Sequence, residues 1–234
     1  MPDAYSWELL LPAIKGALPL GGTLCRTDPG GNPLADTLIL GVYPAQTGHR
    51  LWQGRRVPVA VERTSFEPTS KSGADLERYY LAPLGLRRDD VFLVDLMPYF
   101  FARTARGKKS GRSAWDNLVA HAEATGESCA ALPQPLDDDM LAASRNLAGN
   151  LERLACYIQM SQASRLLTLG NIPAAFVRGF TKAKKAQPFL YSPPITADVV
   201  GKQMEVTHLA HPGILHNASW IEQHRAWLQT AAPW

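Results

Sequence analysis

The sequence has few cysteines, no long apolar run and only a small excess of positive charge. Cys25, Cys129 and Cys156 are odd in number and share no metal-ligand spacing, which argues against a disulfide framework and against a zinc site. No apolar run approaches the ~18 residues of a membrane span, and the first residues lack the basic, apolar and small-residue series of a signal peptide. We therefore expect a cytoplasmic monomer with no metal, no cofactor and no membrane partner.

The remaining composition is typical of a folded α/β domain. Apolar residues make up 46% of the 234-residue chain and charged residues 19%, which provides a core and excludes long disorder. Short apolar strands alternate with segments of helical periodicity, a pattern typical of a mostly parallel central sheet with helices on both faces. We predict one domain over residues 1–234, with an N-terminal helix and entry loop in residues 1–34 and a basic insertion in residues 102–135.

An apolar strand that ends in a glycine and a proline is the first candidate site. Residues 37–40 run straight into Gly41, and Pro44 prevents the strand from continuing, so a buried strand should lead into a tight loop. Open α/β sheets bind ligands at such carboxyl ends. A turn that simply needs a glycine and a proline would explain the same residues without a ligand. The candidate pocket residues are Gly41, Val42, Tyr43, Pro44, Ala45 and Gln46.

A second strand, near the end of the chain, also leads into a loop, His211-Pro-Gly-Ile-Leu215. GVYPA early and HPGIL late resemble the signature motifs of the uracil-DNA glycosylase superfamily, whose forms include GQDPY, GEAPG or GLAPA early and HPSPL late. Segments 68–73, 91–95 and 165–170 are similar to the family's post-motif loop, central strand and Leu-Gly strand, in the same order. The resemblance covers about residues 35–230. It implies a DNA glycosylase, which flips a base out of DNA and hydrolyses its N-glycosidic bond.

The resemblance also implies roles for single residues. His211 takes the place of the family histidine that donates to the base carbonyl beside the breaking bond. Leu215 falls where the family has its intercalating leucine, with Ile214 beside it. Gly213 replaces the usual serine, which leaves only a backbone amide to contact a phosphate. For each of these residues, ordinary loop structure is the alternative. The post-motif loop adds three candidates for DNA contacts, Ser70, Lys71 and Ser72.

The sequence departs from the family at the two positions whose side chains activate a water molecule in other members. Val42 and Tyr43 stand where other members carry an acid or an asparagine, so Glu62 and Asp95 are the candidate substitutes. A stepwise mechanism tolerates this change, because most of the barrier lies in breaking the glycosidic bond. Phe66 and Tyr43 are the candidates for stacking on a flipped base, with simple packing as the alternative. Three cysteines cannot build the four-cysteine iron–sulfur cluster that several members carry.

Asp95 also bears on which base is removed. The corresponding strand of the superfamily commonly ends in an asparagine, whose amide can both donate to and accept from uracil. An ionised carboxylate only accepts, so it would oppose a uracil carbonyl but can accept from the exocyclic amine of cytosine. We expect a cytosine-type base with a 5-modification, hydroxymethyl or glucosylated, and a role in phage defence. Uracil release in base excision repair stays open, because a protonated Asp95 can donate.

Five cations within ten residues and no acid form what we call the basic arm: Arg103, Arg106, Lys108, Lys109 and Arg112. Such an arm can contact DNA phosphates, although a solvated loop has the same composition. The net charge of +3 is mild, so non-specific affinity for DNA would depend on local clusters. Two other functions stay open: a nucleoside hydrolase, which would not bind DNA, and a catalytically inactive DNA-binding relative.

Overall fold

A computed structural model describes residues 29–43, 49–58, 66, 68–98, 101–102, 117, 120, 123–125, 132–133, 137–147 and 149–231. The predicted N-terminal helix and the basic arm lie outside the described residues. So do four of the candidate site residues, Pro44, Ala45, Gln46 and Glu62.

A six-stranded sheet carries most of the described core. The strands are, in chain order, β1 (Gly30–Gly31), β2 (Thr37–Gly41), β3 (His49–Trp52), β4 (Arg55–Pro58), β5 (Val91–Asp95), β6 (Phe101–Ala102), β7 (Leu132–Pro133), β8 (Arg165–Leu169), β9 (Ile195–Val199) and β10 (Lys202–Leu209). The order in the large sheet is β1-β5-β2-β8-β10-β9, while β3 pairs with β4 and β6 with β7.

The inner strands β5, β2, β8 and β10 are parallel, and the edge strands β1 and β9 are antiparallel to their neighbours. Every residue of β2 and of β5 is buried, as expected for strands that are covered on both faces. The prediction of a mostly parallel sheet in an α/β protein is confirmed.

Helices cover both faces of this sheet. They are α1 (Lys71–Leu76), α2 (Ala82–Leu84), α3 (Asp137–Asn146), α4 (Asn150–Met160), α5 (Asn171–Val177) and α6 (Ala218–Thr230). Tyr157 of α4 packs edge-on against Phe92, with ring centroids 6.4 Å apart. Phe92 and Val206 lie in the same register row, and side chains alternate along a strand, so Thr207 points to the opposite face. There Thr207 and Trp227 of α6 line one cavity.

A π-helical turn, Glu77–Leu81, joins α1 to α2, and its sequence gives a reason. In a regular α-helix the carbonyl of Tyr79 would accept from the N–H of residue 83, but Pro83 has none. The N–H of Ala82 instead reaches back five residues to the carbonyl of Glu77. The carbonyl of Tyr79 accepts from Nε2 of His224 in α6 at 2.7 Å. Pro83 therefore frees a carbonyl that ties α6 to this turn.

Candidate functional site

The topology of the parallel strands defines a crevice. The chain leaves β2 for β5 on one side and later crosses to β8 on the other side. Such a reversal separates the connecting loops, and ligands of open α/β sheets bind outside the carboxyl ends of the strands at this switch point. Gly41 and Leu169 end the two strands concerned. The structure therefore places Gly41, where the first motif begins, at the position where a site is expected.

Backbone hydrogen bonds hold the carboxyl ends of β2 and β5 side by side. Gly41 and Asp95 are register partners, and Asp95 is buried. The pairing continues beyond both strands. The N–H of Leu96 donates to the carbonyl of Gly41 at 3.1 Å, and the N–H of Met97 donates to the carbonyl of Val42 at 2.9 Å. Asp95, predicted to read the base, therefore sits next to the first motif on a fixed backbone.

Two buried polar side chains of α4 clamp the chain after β5. Asn150 Nδ2 donates to the carbonyl of Leu96 at 2.9 Å, and Arg153 Nη2 donates to the carbonyls of Asp95 and Leu96, both at 2.8 Å. Arg153 Nε donates to Asn150 Oδ1 at 3.0 Å, so the two side chains also hold each other. Sequence reasoning missed this clamp. Its signal is a pair of polar residues, three apart, on the side of a helix that is otherwise apolar.

Gly170, at the end of β8, gives the second motif its close approach to the sheet. Its N–H donates to the carbonyl of Leu209 at 2.8 Å, which continues the pairing of β8 with β10. Its φ of +101° is strained for any other residue, and an added Cβ would lie 3.4 Å from Cβ of His211. The structure adds Gly170 to the candidate site, and the Leu-Gly dipeptide after an apolar strand was its signal in the sequence.

His211 lies at this junction with its ring largely surrounded by protein. The N–H of Gly213 donates to His211 Nδ1 at 3.1 Å. Because Nδ1 accepts, the proton of a neutral ring sits on Nε2. Burial lowers the pKa of His211 to about 4, an effect that Asp75 opposes and Lys71 reinforces. At neutral pH, His211 is therefore an uncharged hydrogen-bond donor through Nε2.

Helix α1, which begins within the post-motif loop, packs against the 3₁₀ turn Pro212–Ile214 of the second motif. Ser70 is buried and caps α1, accepting from the N–H of Gly73 at 2.9 Å, so its hydroxyl has a structural role. Lys71 is exposed and pairs with Asp75. Ser72 is half-buried. Among the three predicted DNA contacts, Lys71 presents the most exposed side chain.

The structure corrects two expectations about the second motif. Leu215 is 1% exposed and belongs to the hydrophobic core, so it cannot reach into DNA from this position. Ile214 is half-buried and remains as the apolar candidate for a wedge. The amide of Gly213, expected to contact a phosphate, already donates to His211. In this chain the amide at position 213 fixes the histidine ring.

Phe66 supports the histidine. Its fully buried ring lies 6.1 Å from the His211 ring, centroid to centroid, at a tilt of 34°. Arg88 holds this position, because Nη1 donates to the Phe66 carbonyl at 2.6 Å and Nη2 to the Gly73 carbonyl at 2.9 Å. The buried Phe66 ring thus contributes to the burial that lowers the pKa of His211. Val42 and Tyr43, the other residues near the first motif, are half-buried against the core.

The described part of the chain holds no cluster of three or more histidine, cysteine, aspartate or glutamate side chains that suits a metal ion. None of its helices combines the length and the apolar character needed to cross a membrane. No protein-family model matches the sequence, and no curated protein matches it.

Proposed function

We propose that this protein is a DNA glycosylase in which His211 stabilises the departing base. The hydrogen bond from the Gly213 amide to His211 Nδ1 carries the proposal, since it leaves Nε2 as a neutral donor at the carboxyl ends of β8 and β10. A neutral donor suits a leaving group that gains negative charge as its bond breaks, because its hydrogen bond strengthens with that charge. The resemblance of GVYPA and HPGIL to the superfamily motifs supports a nucleobase as the leaving group.

In the proposed reaction, the bond between the base nitrogen and C1′ of the sugar breaks, and its electron pair stays with the base. His211 Nε2–H donates to the base carbonyl next to that nitrogen. A water molecule then adds to the positively charged sugar at C1′, and the proton that it loses is taken up by the departed base anion, which gives the free base and an abasic site. Glu62 is the carboxyl group proposed to orient this water, with Asp95 as the alternative to it, since an Asp95 that contacts the exocyclic amine of the base cannot also reach C1′. The clamp from Asn150 and Arg153 positions the backbone of Asp95.

We propose a cytosine-type base with a 5-modification as the substrate. An ionised Asp95 at the end of β5 accepts from the exocyclic amine of cytosine, and it opposes the carbonyl that uracil has at that position. Plain cytosine is the normal base of any host genome, so selection for a hydroxymethyl or glucosylated group is required. Bases of this kind occur in some viral DNA, and we propose phage defence as the role.

Base release from defined duplexes tests the proposal. Duplexes containing uracil, cytosine, 5-hydroxymethylcytosine or its glucosylated form are incubated with the protein, and abasic sites are then cleaved with alkali. We expect release of a modified cytosine, and His211→Ala should slow it by ~100- to 1,000-fold while DNA binding persists. His216→Ala, at an exposed histidine nearby, is the matched control. Release at the same rate by His211→Ala would refute the proposed role of His211.

Asp95→Asn tests the base preference separately. The amide can donate to uracil and still accept from it, so this variant should gain release of uracil. The substitution changes neither the size of the side chain nor the backbone bonds to Arg153. Release of uracil alone by the wild-type protein would contradict the cytosine assignment and would favour base excision repair, leaving the glycosylase proposal intact.

A further inference from the structure

The stretch of chain from residue 153 to residue 197 carries six cations and no acidic side chain. Four of these cations come at the end of α5 and directly after it, and we call them the cationic patch: Arg178, Lys182, Lys184 and Lys185. The three lysine side chains are exposed, and Arg178 is half-buried. A charge run is often only a solvated surface, so the place of the patch and its partners decide what it does.

Two connections of the backbone hold the patch close to the candidate site. At one end, α5 begins directly after Gly170, which packs close to His211. The seven residues of α5 span only ~10 Å before Arg178. At the other end, the N–H of Tyr191 donates to the carbonyl of His208 at 2.7 Å. The patch therefore lies between the carboxyl end of β8 and that of β10.

The chain returns from α5 to β10 through a 3₁₀ helix, Ala183–Phe189, which carries Lys184 and Lys185. Lys185 precedes Tyr191 by about six positions, which places the two within ~15 Å of each other. Burial, and then the charge of Arg178, lower the pKa of His208 to about 4, so Arg178 lies near the last residues of β10. A long anion that crosses the candidate site is therefore within reach of the patch.

The first turn of α3 carries three acidic side chains, yet it leaves the lysines of the patch unpaired. Oδ1 of Asp138 accepts from the N–H of Ala183 at 2.7 Å, which anchors the 3₁₀ helix on α3. Within the described part of the chain, no ion pair and no side-chain hydrogen bond involves Lys182, Lys184 or Lys185. The charge of these lysines is therefore left for a partner outside the protein.

Arg178 is held in place but has no acidic partner. Its guanidinium carbon lies 4.0 Å from the centroid of the Phe189 ring, and Phe189 packs against Phe180 with centroids 5.6 Å apart. Burial lowers the pKa of Arg178, and no acid opposes that effect. Nε is buried, whereas Nη1 and Nη2 are not enclosed and make no hydrogen bond to the described residues. A stacked guanidinium presents these two nitrogens as a rigid fork, whose geometry matches a phosphate.

We propose that the cationic patch binds backbone phosphates of DNA on the β10 side of the candidate site. The inference rests on the proposed glycosylase function and names a surface that holds the substrate. Four cations spread over a turn and a 3₁₀ helix suit the regularly spaced phosphates of DNA better than one free phosphate. β5 and β10 lie on opposite sides of the switch point, and the basic arm follows β5 in the chain. The patch adds cations on the side of the site away from β5.

The salt dependence of binding to an unmodified duplex tests the patch, whichever base the protein removes. Fluorescence anisotropy measures the affinity at several salt concentrations. Replacing Lys184 and Lys185 by glutamine should reduce the magnitude of the slope of log affinity against log salt by ~1.8, at about 0.9 per contact. Adding Arg178→Gln should reduce it by ~0.9 more. Replacing Arg55 and Arg225 by glutamine, both exposed elsewhere, is the matched control and should keep the wild-type slope.

Neutral methylphosphonate linkages, which replace the phosphates of the duplex one at a time, show whether the contact is direct. A linkage at a phosphate that the patch contacts should weaken binding by the wild type by about 2- to 10-fold. The same linkage should leave the variant with glutamine at 184 and 185 unchanged, because its contact is already lost.

Two results would overturn the patch and leave the glycosylase proposal standing. One is a salt slope of the double lysine variant equal to that of the control. The other is a loss of the same size for the wild type and the double lysine variant at every methylphosphonate position. Wild-type binding that does not depend on salt, or no binding to DNA at all, would overturn both proposals.

Discussion

The Gly213 amide and the His211 imidazole are joined by a hydrogen bond of 3.1 Å within a single turn of the chain. The donor is a backbone group that cannot change its protonation, so it selects the ring tautomer with the proton on Nε2. Burial then keeps the ring uncharged. A glycine at this position allows the turn to bring the amide close to the ring, since an added Cβ would lie only 3.1 Å from Nδ1.

The lowered pKa of His211 predicts how the rate of base release depends on pH. The neutral ring is the active form, and its pKa in the folded protein is about 4, so the rate should not change as the pH falls from 8 to about 6. The rate should drop only as the pH approaches 4, where Nδ1 takes up a proton and must release the Gly213 amide. Single-turnover rates and an NMR titration of His211 measure both. A fall in rate centred near 6.5 would show that the ring is more solvated than the structure indicates.

Gly170 and Gly179 offer a matched pair of substitutions. Both have positive φ, +101° and +67°, so alanine at either position should destabilise the fold by roughly 1–3 kcal/mol. Only at position 170 would the new methyl group meet His211, since nothing lies within 4 Å of the position at 179. We expect Gly170→Ala to slow base release beyond its effect on stability, while Gly179→Ala retains the wild-type rate. Equal rates for the two folded variants would exclude Gly170 as a positioning residue.

Ile214 and Leu215 are neighbours with different expected effects. Ile214 is the half-buried wedge candidate, so Ile214→Ala should reduce base release from duplex DNA by about tenfold or more and spare single-stranded DNA, where nothing needs unstacking. Leu215→Ala should instead destabilise the fold by about 2–5 kcal/mol, because its side chain fills the core. Chemical denaturation and parallel assays on both kinds of DNA separate these effects. A duplex-specific loss in a folded Leu215→Ala variant would return the wedge to Leu215.

The basic arm stays a prediction from the sequence. If its cations contact phosphates, replacing Arg106 and Lys108 by glutamine should lower the slope of log affinity against log salt by ~1.8, at about 0.9 per contact. The loss of affinity should be nearly the same for every DNA sequence. Replacing Arg55 and Arg225, which are both exposed, removes the same charge elsewhere and serves as the control. The same slope for both double variants would identify the arm as a solvated loop.

Sequence patterns were most reliable where the signal is local. The apolar runs that end at Gly41 and Asp95 became strands with those ends, because residues buried on both faces are apolar throughout. Asn217, a residue type that favours helix starts, directly precedes α6, although its side chain makes no capping bond there. Gly85 ends α2 in a left-handed conformation. The end of a strand and a glycine at the end of a helix can be predicted from neighbouring residues alone, without knowledge of distant ones.

The errors and omissions have a common origin in tertiary contacts. The spacing of Leu147, Leu151, Leu154 and Ile158 predicts one core-packing helix, but Gly149 interrupts it with φ of +73°, and Leu151 is 38% exposed. Turning the chain there brings Asn150 to the carbonyl of Leu96, 54 positions away. No periodicity encodes such a contact. Leu215 was misassigned for the same reason, since its position in a motif does not reveal which way the side chain points.

Pro83 has an effect on the molecule that its own contacts do not reveal. As the residue without an N–H, it leaves the Tyr79 carbonyl for His224, which therefore carries its proton on Nε2 and offers Nδ1 to Tyr191. Which partner donates between His224 and Tyr191 is thus set by a missing hydrogen in another helix. An alanine at position 83 would supply that hydrogen and compete for the carbonyl, so the polarity of this bond depends on an atom that proline lacks.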